Sequence, residues 1–339
     1  EGVAPWRMVL QRPAFGGDPL RLADTRLTLE TALDGIALDW PLGLDKPADS
    51  RTPLAAEFVW QGARALRFDI DYDDRLRLQG RHVDGRLEAL GGRLGAGEAV
   101  APPANGTRLV GALPVLAADA LLGGGDGQAG RGLEDLPAPL DVAVALDGFR
   151  LGRWQVGETR VEAMGEADRW RIGLTGAAQG EIRWPGDDER LIIRLERLEA
   201  TVPSTRSLPP SSAASVAPEA DREPMGPDLD IRIESLTVAG RAFGQLDFQR
   251  RDAGLATASA QLTVAGEPAD LDVEIRRQPD ENAGNRLEFD LFTRDGGAVV
   301  RALGLQRVLA GATGSVTGDL RWVGPLLRPI VPTLSGELA

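Results

Sequence analysis

Four carboxylates crowd one short stretch, Asp69, Asp71, Asp73 and Asp74, and neighbouring carboxylates are common equipment for acid–base hydrolysis or for holding a hard cation. Their spacing argues against both uses. Asp69 and Asp71 alternate with Phe68, Ile70 and Tyr72, so on a strand both stand on the solvated side, while Asp73-Asp74 falls at a reversal. His82 is the single histidine and lies beside Asp84-Gly85, where it reads as a surface residue; no serine sits in a GxSxG elbow that could use it as a base. Gly125-Asp-Gly127-Gln-Ala-Gly130 has the spacing of a dinucleotide-binding turn. Such a turn must follow a strand and open a helix, whereas here an apolar stretch precedes it and Pro137 and Pro139 follow. It reads as a connector. Asn105-Gly106-Thr107 is a glycosylation sequon, with meaning only in a compartment that glycosylates.

Composition removes most other chemistry. With no cysteine and one histidine, the 339-residue chain has no thiolate nucleophile, no disulfide framework, no Cys-ligated zinc and no site of two imidazoles. Thirty-eight basic against fifty-one acidic residues leave a formal net charge of −13, without the basic footprint that neutralises phosphates along a nucleic acid. We expect no catalytic residue, no metal and no cofactor, and no nucleic-acid partner. Hydrophobic residues make up 42% but aromatic residues only 5%, so the apolar surface is mainly Leu, Val, Ile and Ala. The seven Trp are scattered and read as closures at the ends of that aliphatic core. No apolar run is long enough to cross a bilayer as a helix. The chain starts at Glu1 and ends in Leu334-Ser-Gly-Glu-Leu338, which looks like a strand beginning, so it reads as an internal piece whose membrane anchor lies elsewhere.

The elements that carry these residues are strands. Apolar and polar residues alternate in Leu66/Phe68/Ile70/Tyr72 and, after the Asp73-Asp74 reversal, in Leu76/Leu78. The same period recurs at Leu27/Leu29, Ile36/Leu38/Trp40, Leu140/Val142/Val144/Leu146, Leu229/Ile231/Ile233, Leu271/Val273/Ile275 and Leu287/Phe289/Leu291. Asp34-Gly35, Asp84-Gly85, Asn105-Gly106 and Asp147-Gly148 supply residues that tolerate the positive φ of hairpin turns. Helical spacing is expected over 298–309, and more weakly over 115–122. Residues 123–132 form a Gly-rich connector inside a first segment, 1–202. Residues 203–227 are a Ser/Pro-rich linker or loop, and 228–339 a second β segment. Gly180-Glu-Ile-Arg-Trp184-Pro-Gly186 recurs as Gly318-Asp-Leu-Arg-Trp322-Val-Gly324, which points to repeating strand-and-turn units. Alternation alone leaves open whether the apolar faces are sealed by a second sheet or line an open groove.

Three phrases, in order along the chain, carry a resemblance. They are Asp39-Trp40-Pro41-Leu42-Gly43-Leu44-Asp45-Lys46-Pro47 with Pro53-Leu54, Leu76-Arg-Leu78 and Gly91-Gly-Arg-Leu-Gly95; Pro227-Asp-Leu-Asp-Ile231 with Leu236-Thr-Val-Ala-Gly240 and Phe243-Gly-Gln-Leu246; and Leu303-Gly304, Gly314, Gly318 to Pro325 and Leu334 to Leu338. Together they resemble the YhdP family of AsmA-like envelope proteins. The resemblance implies an all-β, mainly antiparallel fold, an elongated, repetitive, curved sheet forming an apolar groove with one or two short helices. It implies non-enzymatic phospholipid transport between the inner and outer membranes of a Gram-negative envelope, by the periplasmic part of an inner-membrane-anchored protein. Expected partners are phospholipid acyl chains and other envelope proteins. The expected groove lining is Leu66, Phe68, Ile70, Leu140, Val142, Val144, Leu229, Ile231, Ile233, Leu271, Val273, Ile275 and Phe289. The alternative is a periplasmic scaffold of sealed β-sandwich modules that supports outer-membrane biogenesis.

Overall fold

Period-two alternation puts every apolar side chain of a strand on one side, and neighbouring strands then gain by aligning those sides. The computed structural model describes residues 4–12, 25–38, 44, 46–117, 136–151, 154–166, 169–184, 190–201, 228–251, 258–277, 284–302, 311–323, 326 and 333–339. Among them are twenty-two strands and one helix, so the fold is all-β and mainly antiparallel. The chain divides into two units, Glu1–Gly152 with Glu158–Leu174, and Arg153–Gly157 with Thr175–Ala339.

In the first unit, β1 (Trp6–Gln11), β2 (Arg26–Thr31), β3 (Leu54–Gln61), β4 (Ala65–Tyr72), β5 (Leu76–Val83) and β6 (Arg86–Leu94) pair antiparallel in chain order. Then the direction changes. β7 (Gly106–Leu113) lies parallel to β6, β9 (Leu140–Leu146) lies parallel to β7, and β12 (Thr159–Glu166) returns antiparallel to β9. The short β8 (Leu116–Ala117) and β10 (Phe149–Leu151) follow β7 and β9 and pair with each other, also in parallel. β13 (Arg169–Gly176) follows β12 in the chain.

The second unit begins with β11 (Trp154–Val156) and β14 (Ala178–Trp184), both antiparallel to β15 (Leu191–Thr201) at successive positions along it. β16 (Leu229–Val238) runs parallel to β15. From there β17 (Arg241–Arg251), β18 (Ser259–Ala265), β19 (Ala269–Arg277), β20 (Gly284–Thr293), β21 (Gly314–Val323) and β22 (Ser335–Leu338) pair antiparallel in sequence order. The tract 203–227 lies outside the described residues; the strands on either side of it, β15 and β16, are paired with each other.

Several local expectations change. Asp84-Gly85 does close a two-residue hairpin, both residues at positive φ (48° and 84°), with Val83 opposite Arg86. Asn105-Gly106 and Asp147-Gly148 close none: Gly106 opens β7, parallel to β6, and Asp147-Gly148 separates β9, which runs parallel to β7, from β10, which runs parallel to β8. Asp34-Gly35 turns inside the long β2–β3 connection, where Ile36/Leu38 form no strand beyond a single bridge from Leu38 to Lys46. Trp40 lies outside the described residues. The helix α1 spans Gly296–Ala302, starting where the Asp295 carboxylate accepts the Ala298 N–H at 3.0 Å; residues 303–310 are outside the described set. The expected helix at 115–122 is contradicted at Leu116–Ala117, which pair with β10, a tertiary partner that outweighs a short helical pattern. Residues 118–135, the Gly-rich connector included, are not described.

Candidate functional site

Registers decide which side chains share a face, because residues opposite each other across a ladder point the same way. In the first unit, Ile70 stands opposite Ala56 on β3 and Leu78 on β5. The row extends outward from β3 to Leu29 and Met8, and from β5 to Gly92, Leu109, Val142 and Ala163. It crosses nine strands without a polar residue. At about 4.8 Å per strand, that is roughly 38 Å of apolar surface. A flanking row carries Phe68, Phe58 and Leu90, and also takes in Leu140.

The second unit repeats the design. Ile231 stands opposite Ile193 on β15 and Phe248 on β17, and the row runs on through Leu262, Val273, Phe289, Gly318 and Leu338, with Ile182 at its other end. This row too crosses nine strands with no polar side chain. Its members from Ile182 to Gly318 are all half-buried, and Leu338 is exposed.

All thirteen residues expected to line a groove fall on these apolar faces. Leu66, Phe68, Ile70, Val142, Leu229, Ile231, Leu271, Val273, Ile275 and Phe289 are half-buried, while Leu140, Val144 and Ile233 are buried. The first unit's strip is therefore not open over its full width. Tyr72, Leu76, Leu94 and Val144 form a closed core with Leu33 and Leu44, so the β2–β3 connection roofs one margin of the strip. Lys46 holds that roof. It is 2% exposed, and its ammonium donates to the carbonyls of Ile36 (2.9 Å), Pro47 (3.1 Å) and Ser50 (2.6 Å). The alternation in this connection gave no sign of it, because the partners of Lys46 are backbone carbonyls, invisible to side-chain pattern.

The reverse faces are polar and laced with ion pairs. Asp69 accepts from Gln79 at 2.6 Å, Arg77 reaches Asp71 (3.1 Å) and Asp74 (2.6 Å), and Arg108 faces Asp141. Asp69, Asp71 and Asp74 are thus engaged with neighbouring polar side chains, and Asp73 is exposed at the reversal, as their spacing predicts. His82 differs from its reading as a plain surface residue: it sits on the apolar side, opposite Leu66 and Leu87. Of the described tryptophans only Trp322 is buried, so closing the core is not their common role. In the second unit Arg194 donates to the Asp230 carboxylate at 2.8 Å, tying β15 to β16. That bond holds the Asp230 carboxyl below the usual range, against an opposing push from burial.

A family model described as YhdP protein matches residues 1–339, the whole chain. The chain belongs to the YhdP family. No curated protein and no solved structure matches it. For a YhdP-family chain the informative geometry is the pair of strips, since this is an envelope-protein family and the polar clusters are accounted for by structural ion pairs. Among the described residues, no helix is long and apolar enough to cross a membrane.

Proposed function

We propose that this chain is a non-enzymatic, lipid-conducting part of a YhdP-family envelope protein, and that the two strips take phospholipid acyl chains. It would act in the periplasm, between inner and outer membranes, with phospholipid and neighbouring envelope proteins as its partners. The observation that carries this reading is the central row of each unit, whose apolar residues are half-buried or exposed on most of its strands. Proteins rarely leave contiguous apolar surface to water unless something binds there. At about 0.8 kcal/mol per CH₂, two acyl chains of about 16 carbons face on the order of 25 kcal/mol on entering water, so unassisted crossing of an aqueous compartment is prohibitive. Aliphatic walls remove that exposure without a deep, specific well.

The test is a charge on the strip. Ile231→Asp and Ile70→Asp lie in half-buried central rows and outside the closed core, unlike Val142, which packs against that core, and Val144, which belongs to it. Both variants are expected to stay folded and to lose uptake of a fluorescent phospholipid from phosphatidylethanolamine–phosphatidylglycerol vesicles. Full uptake by both would remove the lipid reading. The roof over Tyr72 and Val144 favours one other reading, a scaffold of closed modules. That reading predicts no lipid uptake by the parent chain.

A further inference from the structure

Three of the glycines that interrupt the strips lie under an aromatic ring. Gly80 of β5 is directly opposite Phe68 of β4, and Gly318 of β21 is directly opposite Phe289 of β20. Gly165 of β12 shares a row with Leu140 and lies beneath the ring of Trp170 on β13. In all three the ring fills the space where a Cβ would stand. Trp170 brings three ring atoms within 2.8 to 3.0 Å of that position at Gly165, the Phe68 ring crowds Gly80 in the same way, and at Gly318 the Phe289 ring is joined by a side-chain carbon of Leu338.

The backbone does not explain these glycines. None of the three is among the residues with positive φ, whereas Gly85 and Gly240 are. A glycine inside a strand weakens it, so its retention points to a close approach by something else. Here that is the ring. Side chains on a strand normally stand off the sheet; a ring that reaches the Cβ space of the next strand instead lies along the sheet. The same arrangement appears in aliphatic form at Gly92, whose Cβ space is taken by side-chain carbons of Leu109 and Leu78.

We propose that Gly80, Gly165 and Gly318 set the depth of the strips: by letting Phe68, Trp170 and Phe289 lie down, they keep the floor low enough for an acyl chain to pass. This rests on the lipid-conducting reading and names the residues that determine which chains fit. A methyl group at Gly80 meets no positive-φ strain, and its three nearest contacts are all ring atoms at the far end of the Phe68 side chain, so the ring must swing up into the strip.

The experiment places a photo-crosslinking residue at Ile70 in the purified chain, with vesicles of phosphatidylethanolamine and phosphatidylglycerol as the lipid source. Gly80→Ala is expected to cut lipid capture about fivefold. Adding Phe68→Ala, which removes the raised ring, is expected to restore it. A ring that merely packs on glycine for stability predicts the opposite for the double variant: a lower melting temperature and no recovery of capture. Undiminished capture by Gly80→Ala, or a double variant no better than the single one, overturns the proposal. If Gly80→Ala melts near ambient temperature, Gly318→Ala read from a crosslinker at Val273 puts the same question to the second unit, with the same two outcomes. A parent chain that captures no lipid defeats the transport reading itself, and the depth proposal with it.

Discussion

Lys46 shows how a residue can be decisive without being legible. An irregular connection over an apolar surface must find partners for its backbone carbonyls, and one buried ammonium serves three of them. Lys46→Met keeps the apolar stem and removes the donor. It is expected to cost about 2–3 kcal/mol, read as a lower denaturation midpoint; an unchanged midpoint would mean that the roof holds without it. Asp230 gives a pH prediction. Its folded-state carboxyl titrates below the ordinary Asp value, so its bond with Arg194 contributes stability that is present above that ordinary value and fades as pH falls through the lower, folded one. Asp230→Asn should therefore narrow the stability difference between neutral and strongly acidic solution. An identical acid profile in both proteins would contradict the assignment. The carboxylates Asp69 and Asp71, by contrast, were readable in advance, because period two puts them on the solvated side whatever their neighbours.

At the scale of elements, alternation foretold the strands and the Asp84-Gly85 hairpin, since both depend on residues a few positions apart. It could not foretell that β6, β7 and β9 run parallel, or that β15 and β16 do, because strand direction depends on non-local partners. That is why Asn105-Gly106 and Asp147-Gly148 look like hairpin turns and are not. The β16–β17 turn was missed for a different reason: Ala239-Gly240 lacks the usual Asn or Asp, yet both residues take positive φ, 51° and 74°. Alanine is strained in that region. Ala239→Asn should raise stability by about 0.5–1 kcal/mol, seen as a melting temperature a few degrees higher. No rise would show that the turn does not confine residue 239 as described.

For the molecule as a whole, an aliphatic composition and repeated β pattern made the existence of apolar faces legible, and register joined them into rows. What the pattern could not say is where those faces are covered, because coverage comes from residues such as Leu33, Leu44 and Lys46, in a connection whose alternation carries no mark of what it packs against. In each unit a central apolar row remains half-exposed across most of its strands, beside a reverse face rich in charge. The most direct measurement is a scan of photo-crosslinkers along β4 and β19 in the presence of phospholipid vesicles. The account predicts capture that alternates with the pleat, strong at Phe68, Ile70, Leu271 and Val273 and weak at Arg67, Asp69, Asp270 and Asp272. Capture equal on both faces, or absent from the apolar one, would contradict it.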